Sequence, residues 1–143
     1  MATFALLPIA AIAIAVIAVL YYMTRPPTDM FPCSLLQVQV PDHADTEVTV
    51  SGLEPGAKVL FWAAEPKTDG LARINDWRKA YLTFANAGVA VVGESGHAVL
   101  RIRKPQPYTV PVVGRLDHHV HWRVCRNGGR LGPVQTTPLP DAL

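Results

Sequence analysis

The chain has 143 residues, 50% of them hydrophobic, with 13 prolines and a formal net charge of +2. Setting aside an apolar N-terminal run, about 116 residues remain, enough for one core and one domain. Prolines spread this densely oppose a helical domain, since each removes a backbone donor and breaks a helix interior. No phosphate loop, Ser-His-Asp order, paired-thiol motif or zinc-finger spacing occurs, so the enzyme and binding classes that carry those motifs are set aside.

Residues 4–23 form a run of twenty without a charged or strongly polar side chain. At roughly 1.5 Å per residue a helix of that length spans about 30 Å, the thickness of a hydrocarbon core. Pro8 falls in the first turns, where a missing N–H costs least. Tyr21 and Tyr22 fall at the far end, where amphipathic rings favour the interface. A cleaved signal peptide would need a basic start, which Met1-Ala2-Thr3 lacks. The expected organisation is a transmembrane anchor at 1–25, a Pro-rich linker at 26–32 and one domain at 33–143. The protein is then a single-pass membrane protein contacting lipid through residues 4–23. Arg25 is the lone cation flanking the span, which points the domain to the cytoplasmic side.

In the domain, residues 36–40 (LQVQV) alternate with period two, as a half-buried strand does. Residues 48–50 follow, then the turn Glu54-Pro55-Gly56 and an apolar strand at 58–64. Residues 88–93, 98–103 and 119–125 read as further strands, and 134–137 as an edge strand. Leu36, Val38, Val40, Leu100, Ile102, Val120, Trp122 and Val124 are the expected core positions. In 69–87, Trp77, Tyr81 and Leu82 have helical spacing after a possible N-cap at Asn75 or Asp76. The fold class is therefore mostly β: an antiparallel sandwich of seven or eight strands with one short helix or ordered loop. Cys33 and Cys125 either bridge the start and end of this domain or remain two buried thiols.

One stretch carries a resemblance. Residues 88–124 contain Glu94-Ser95-Gly96, a strand with an Arg-rich end, Pro105-Gln106-Pro107-Tyr108, and His119-Val120-His121 on a later strand. Upstream, Val59-Leu60-Phe61-Trp62 ends a strand in tryptophan. In this order the elements resemble the intradiol ring-cleavage dioxygenases, whose sandwich is related to transthyretin-like folds. The resemblance spans about 58–124, roughly half the chain. In that family two tyrosinates and two histidines hold ferric iron, which implies Tyr108, His119 and His121 as three of four metal ligands. Two histidines two apart on a strand share a face, and imidazole and phenolate both suit iron. The family's other tyrosine stands in a Gly-x-Tyr context; here Gly70-Leu71-Ala72 has none, and Tyr81 is the one tyrosine in that interval.

The C-terminal part is basic. Arg101, Arg103, Lys104, Arg115, Arg123, Arg126 and Arg130 stand against Asp117 and Asp141. Placed on outward strand faces, they would suit anionic lipid or an acidic protein partner; no motif supports specific nucleic-acid binding. The layout resembles small membrane-anchored minor capsid proteins of large DNA viruses. It implies a structural protein that tethers neighbouring subunits of an assembly to a bilayer, with its domain cytoplasmic or facing a viral shell. On that reading no cofactor and no catalytic residue is expected. The alternative is a non-haem Fe(III) intradiol-type dioxygenase acting on a catechol-like ring.

Overall fold

The computed structural model describes residues 32–66, 80–127 and 129–140, together with Ile14 and Val16. The chain divides into two compact units, Met1–Met30 and Phe31–Leu143. In the first, Ile14 and Val16 are helical and exposed. The rest of the expected span lies outside the described residues, as does most of the expected helix at 69–87. Among the described residues no helix is long and apolar enough to cross a membrane.

The second unit is mostly β and antiparallel, an arrangement consistent with a β-sandwich. A 3-10 turn at Cys33–Leu35 precedes nine described strands: β1 (Thr46–Val50), β2 (Lys58–Ala63), β3 (Ala87–Val91), β4 (Ala98–Ile102), β5 (Tyr108–Val110), β6 (Gly114–Leu116), β7 (His119–Arg126), β8 (Arg130–Leu131) and β9 (Gln135–Pro138). β1 pairs with β4, and β5 with β6. The largest sheet runs β3-β2-β7, and both β9 and β8 pair with β7. Thus β7, eight residues long, has β2 along one edge. Along the other it meets β9 at His119–Trp122 and β8 at Cys125 and Arg126.

Period-two patterning explains the layers. β4 alternates buried and exposed without exception, placing Ala98, Leu100 and Ile102 inward. They meet Val59, Phe61 and Ala63 of β2 and Val120 of β7 in one cluster, with Trp122 and Val124 packed against it. Leu100, Ile102 and Val120 are fully buried, whereas Trp122 and Val124 are half-buried.

Residues 36–40 depart from the expected strand. Leu36 is buried, but Val38 and Val40 are exposed. The segment makes one isolated bridge, Gln39 to Val89. Alternation alone does not commit a chain to a sheet; this one touches the edge of β3 at a single point. Gly88 allows that approach: a Cβ there would lie 2.6 Å from the Gln39 carbonyl oxygen and 2.4 Å from the Phe61 ring. At the same end, Cys33 and Cys125 form a disulfide with Cα atoms 5.9 Å apart.

Candidate functional site

The first and third residues of β7 are His119 and His121, which face the same way because strand side chains alternate. Their rings lie 4.7 Å apart between centroids. Tyr108, the first residue of β5, brings its hydroxyl to 3.3 Å from His119 Nε2. Tyr81 brings its own hydroxyl to 2.7 Å from that of Tyr108. The Tyr81 ring also lies 6.0 Å from the His121 ring, and Trp62 of β2 lies 5.6 Å from it. Two phenols and two imidazoles therefore converge from three separate parts of the chain. Three of them were expected on the sequence; Tyr81, which lacks the Gly-x-Tyr context, supplies the fourth.

Hydrogen bonding orders the group. His119 Nδ1 meets the Asp117 carbonyl oxygen. A carbonyl only accepts, so Nδ1 carries the proton, and in the neutral ring Nε2 accepts. Tyr108 O–H then donates to Nε2, and Tyr81 O–H donates to the Tyr108 oxygen. His121 Nδ1 meets the Thr136 hydroxyl at 2.8 Å. Burial pushes the Tyr81 hydroxyl far above the usual tyrosine pKa, and its bond to Tyr108 pushes the same way. Burial also lowers His121 to about 4, helped by His119 beside it, so that ring is neutral at pH 7.

A second polar group, not legible in the sequence, holds both tyrosine segments. Asn86 is fully buried between the ends of β2 and β4. Its Nδ2 donates to the carbonyls of Ala64 and Arg103, at 2.8 and 2.9 Å, and its Oδ1 accepts from the Arg103 N–H. Arg103 forms a part-buried ion pair with Glu65 at 2.8 Å. The Glu65 N–H donates to the Ala80 carbonyl, next to Tyr81, and the Gln106 N–H donates to the Glu65 carbonyl, two residues before Tyr108. Each bond joins residues far apart in sequence, so no local pattern announces it.

This arrangement corrects the expected basic face. Arg103 turns inward to Glu65 instead of sharing an outward face with Arg101 and Arg123. Arg101 lies on β4 and pairs with Glu47, whereas Arg123 lies on β7, in the other sheet, and donates to the Gly132 carbonyl. Arg115 pairs with Asp117 at 3.0 Å. Lys104 follows β4, and Arg126 and Arg130 sit where β7 meets β8. Arg101, Arg103 and Arg123 therefore do not share one outward face.

Three of these donors, on Tyr81, Tyr108 and His119, have the spacing that ligands of one metal ion take. Two ligands bonded to one ion at roughly 2.0–2.2 Å, about 90–110° apart, stand roughly 3 Å from each other. The Tyr81–Tyr108 and Tyr108–His119 separations match that spacing. Both imidazoles have Nδ1 engaged by a backbone carbonyl or a hydroxyl, the outer-shell pattern of metal-binding histidines. Among the described residues no three His, Cys, Asp or Glu gather in this way, so the phenols are essential to the set. A cleft of about 390 Å³ opens onto Tyr108, His119 and His121, bounded by Leu116, Thr136 and Pro138. That volume is within the range of small-molecule sites. Comparison with models of protein families, with curated proteins and with solved structures finds no match.

Proposed function

We propose that Tyr81, Tyr108, His119 and His121 form a ferric-iron site of the intradiol type, and that the domain acts on a catechol-like ring. The observation that carries this reading is the convergence of two phenols and two imidazoles beside an open cleft. Bound ferric iron would supply Lewis acidity and one-electron chemistry toward a catecholate. The chain's own groups have separable tasks. Asp117 and Thr136 fix the imidazole rings. Tyr81 and Tyr108 must each lose a proton to serve as anionic ligands, so loading releases protons and is favoured as pH rises. Leu116 and Pro138 give the cleft an apolar wall for a ring.

The test is to supply iron to the purified protein in air, then measure bound metal, visible absorbance and ring opening of catechol. About one iron per chain, with a visible band weakened in Tyr81→Phe or Tyr108→Phe and lost when both are changed, is the expected result. A protein that takes up no iron when it is supplied overturns the proposal.

A second reading is supported by residues 4–23: a membrane-anchored interaction protein that tethers neighbouring subunits to a bilayer, as minor capsid proteins do. Its test is retention with membranes through an alkaline carbonate wash, unchanged by His119→Ala with His121→Ala. Recovery of the full-length chain in the soluble fraction overturns it.

A further inference from the structure

At the C-terminal end of β7 the core gives way to a cleft. Trp122 and Val124 of β7, and Leu53 three residues past β1, pack against the core but stay only half-buried. They wall a space of about 560 Å³, within the range of small-molecule sites. The Trp122 indole N–H already donates to Thr137 Oγ1 at 3.0 Å, so the ring offers the cleft apolar surface alone. This cleft shares no lining residue with the one at Tyr108, His119 and His121. His119 begins β7 and Arg126 ends it, about 23 Å apart at roughly 3.3 Å per residue.

Charge selects what enters. Arg126 lines the cleft, and Arg130 is its direct cross-strand partner on β8, so both side chains leave the sheet on one side. Like charges placed opposite each other destabilise a strand pair. Among the described residues neither guanidinium has an ion pair. Gly132 seats the first of them: a Cβ there would lie 2.9 Å from Arg126 Nε and 3.2 Å from the Val124 carbonyl oxygen. The Arg126 stem therefore rests on bare backbone beside the cleft, and an anion has less ordering left to impose on it. Glu54 is the one acid of the lining, so two guanidinium groups stand against one carboxylate.

We infer that this cleft binds a small organic monoacid with a flat apolar body. Its carboxylate meets the planar fork of Arg126, which matches carboxylate geometry. Its body lies against Trp122, Leu53 and Val124, where an aromatic ring gains both burial and offset stacking on the indole. Glu54 limits the choice: a second acid group at the far end of the ligand meets a like charge, so diacids are disfavoured. Neither iron at Tyr81, Tyr108 and His119 nor a membrane span at 4–23 is needed for this binding.

The experiment uses the full chain, labelled with fluorotryptophan, kept in a zwitterionic detergent and titrated with naphthoate, free ligand being measured by dialysis. Of the three tryptophans, the one whose fluorine resonance is missing in Trp122→Phe is the reporter. The expected result is a saturable shift of that resonance. Arg126→Gln should weaken the apparent Kd at least about tenfold, and so should replacing the acid by naphthamide, an arm that needs no variant. A naphthalene dicarboxylate should bind more weakly than the monoacid, and Glu54→Gln should narrow that gap. A Trp122 resonance that stays in place, or shifts without saturating, overturns the site. Equal affinity for the acid and its amide overturns it as well, since the guanidinium would then play no part.

Discussion

The two faces of β7 differ in what they ask of the sequence. Val120, Trp122 and Val124 face the sandwich core, where the requirement is bulk without polarity. His119 and His121, interleaved with them, face a group whose value lies in donor atoms held a few ångströms apart. Core packing tolerates exchange of one apolar residue for another of similar volume. The polar face tolerates almost none, because a displaced oxygen or nitrogen is a buried group without its hydrogen-bond partner. One strand therefore carries an apolar packing face and a polar hydrogen-bonded face, separable by substitution.

The largest expected effect lies on the core side. Phe61 is 1% exposed, and Phe61→Ala should cost about 3–5 kcal/mol, read as a lower denaturant midpoint. It should leave iron uptake by the folded fraction unchanged; loss of uptake in folded protein would show that the two faces are coupled. Next comes Tyr108→Phe, which removes one hydroxyl and two hydrogen bonds. Stability should fall by about 1–2 kcal/mol, while the visible band expected on iron loading should weaken and shift, because Tyr81 remains as the second phenolate.

The third prediction is a pH slope. In the metal-free protein His121 has its pKa lowered to about 4, against 6.5 for a free histidine. Between those values the unfolded chain binds a proton that the folded chain does not. Stability from this group is complete above about pH 6.5, falls as pH drops toward 4, and changes no further below that. Denaturant midpoints at several pH values should show the slope, and His121→Gln should flatten it. Val120→Ala, on the opposite face, should shift every midpoint and keep the slope. The smallest effect lies at the hairpin of β5 and β6, where Val112 has φ +72°, in the left-handed region. Val112→Gly should be neutral or stabilising by up to about 1 kcal/mol, since relief of the left-handed strain offsets the entropy of glycine. Val91→Gly, on an exposed strand position of β3, should destabilise instead.

Legibility followed the range of the interactions. β4 and β7 show in the sequence because their alternation is intrinsic and each contributes to a buried sheet face. Residues 36–40 alternate equally well and form no strand, because their neighbour is an edge reached at Gln39 alone. His119 and His121 are legible as a pair because two-residue spacing fixes a shared face. Tyr81 is not, since what places it is the Glu65–Ala80 backbone bond and the Asn86 clamp. The basic residues cluster along the chain, but strand pairing distributes Arg101 and Arg123 to different sheets.

The disulfide has a consequence for how the protein ages under proteases. Cys33 and Cys125 are 92 residues apart, so the covalent ring encloses β1 to β6 and most of β7. A single cut anywhere inside that ring, including at the exposed Val112 tip, leaves both pieces joined. Nicked molecules would run as intact chains on a non-reducing gel and separate into two fragments only after reduction. A first cleavage within the ring would release nothing, and a second cut within it would be needed to free a piece of the chain.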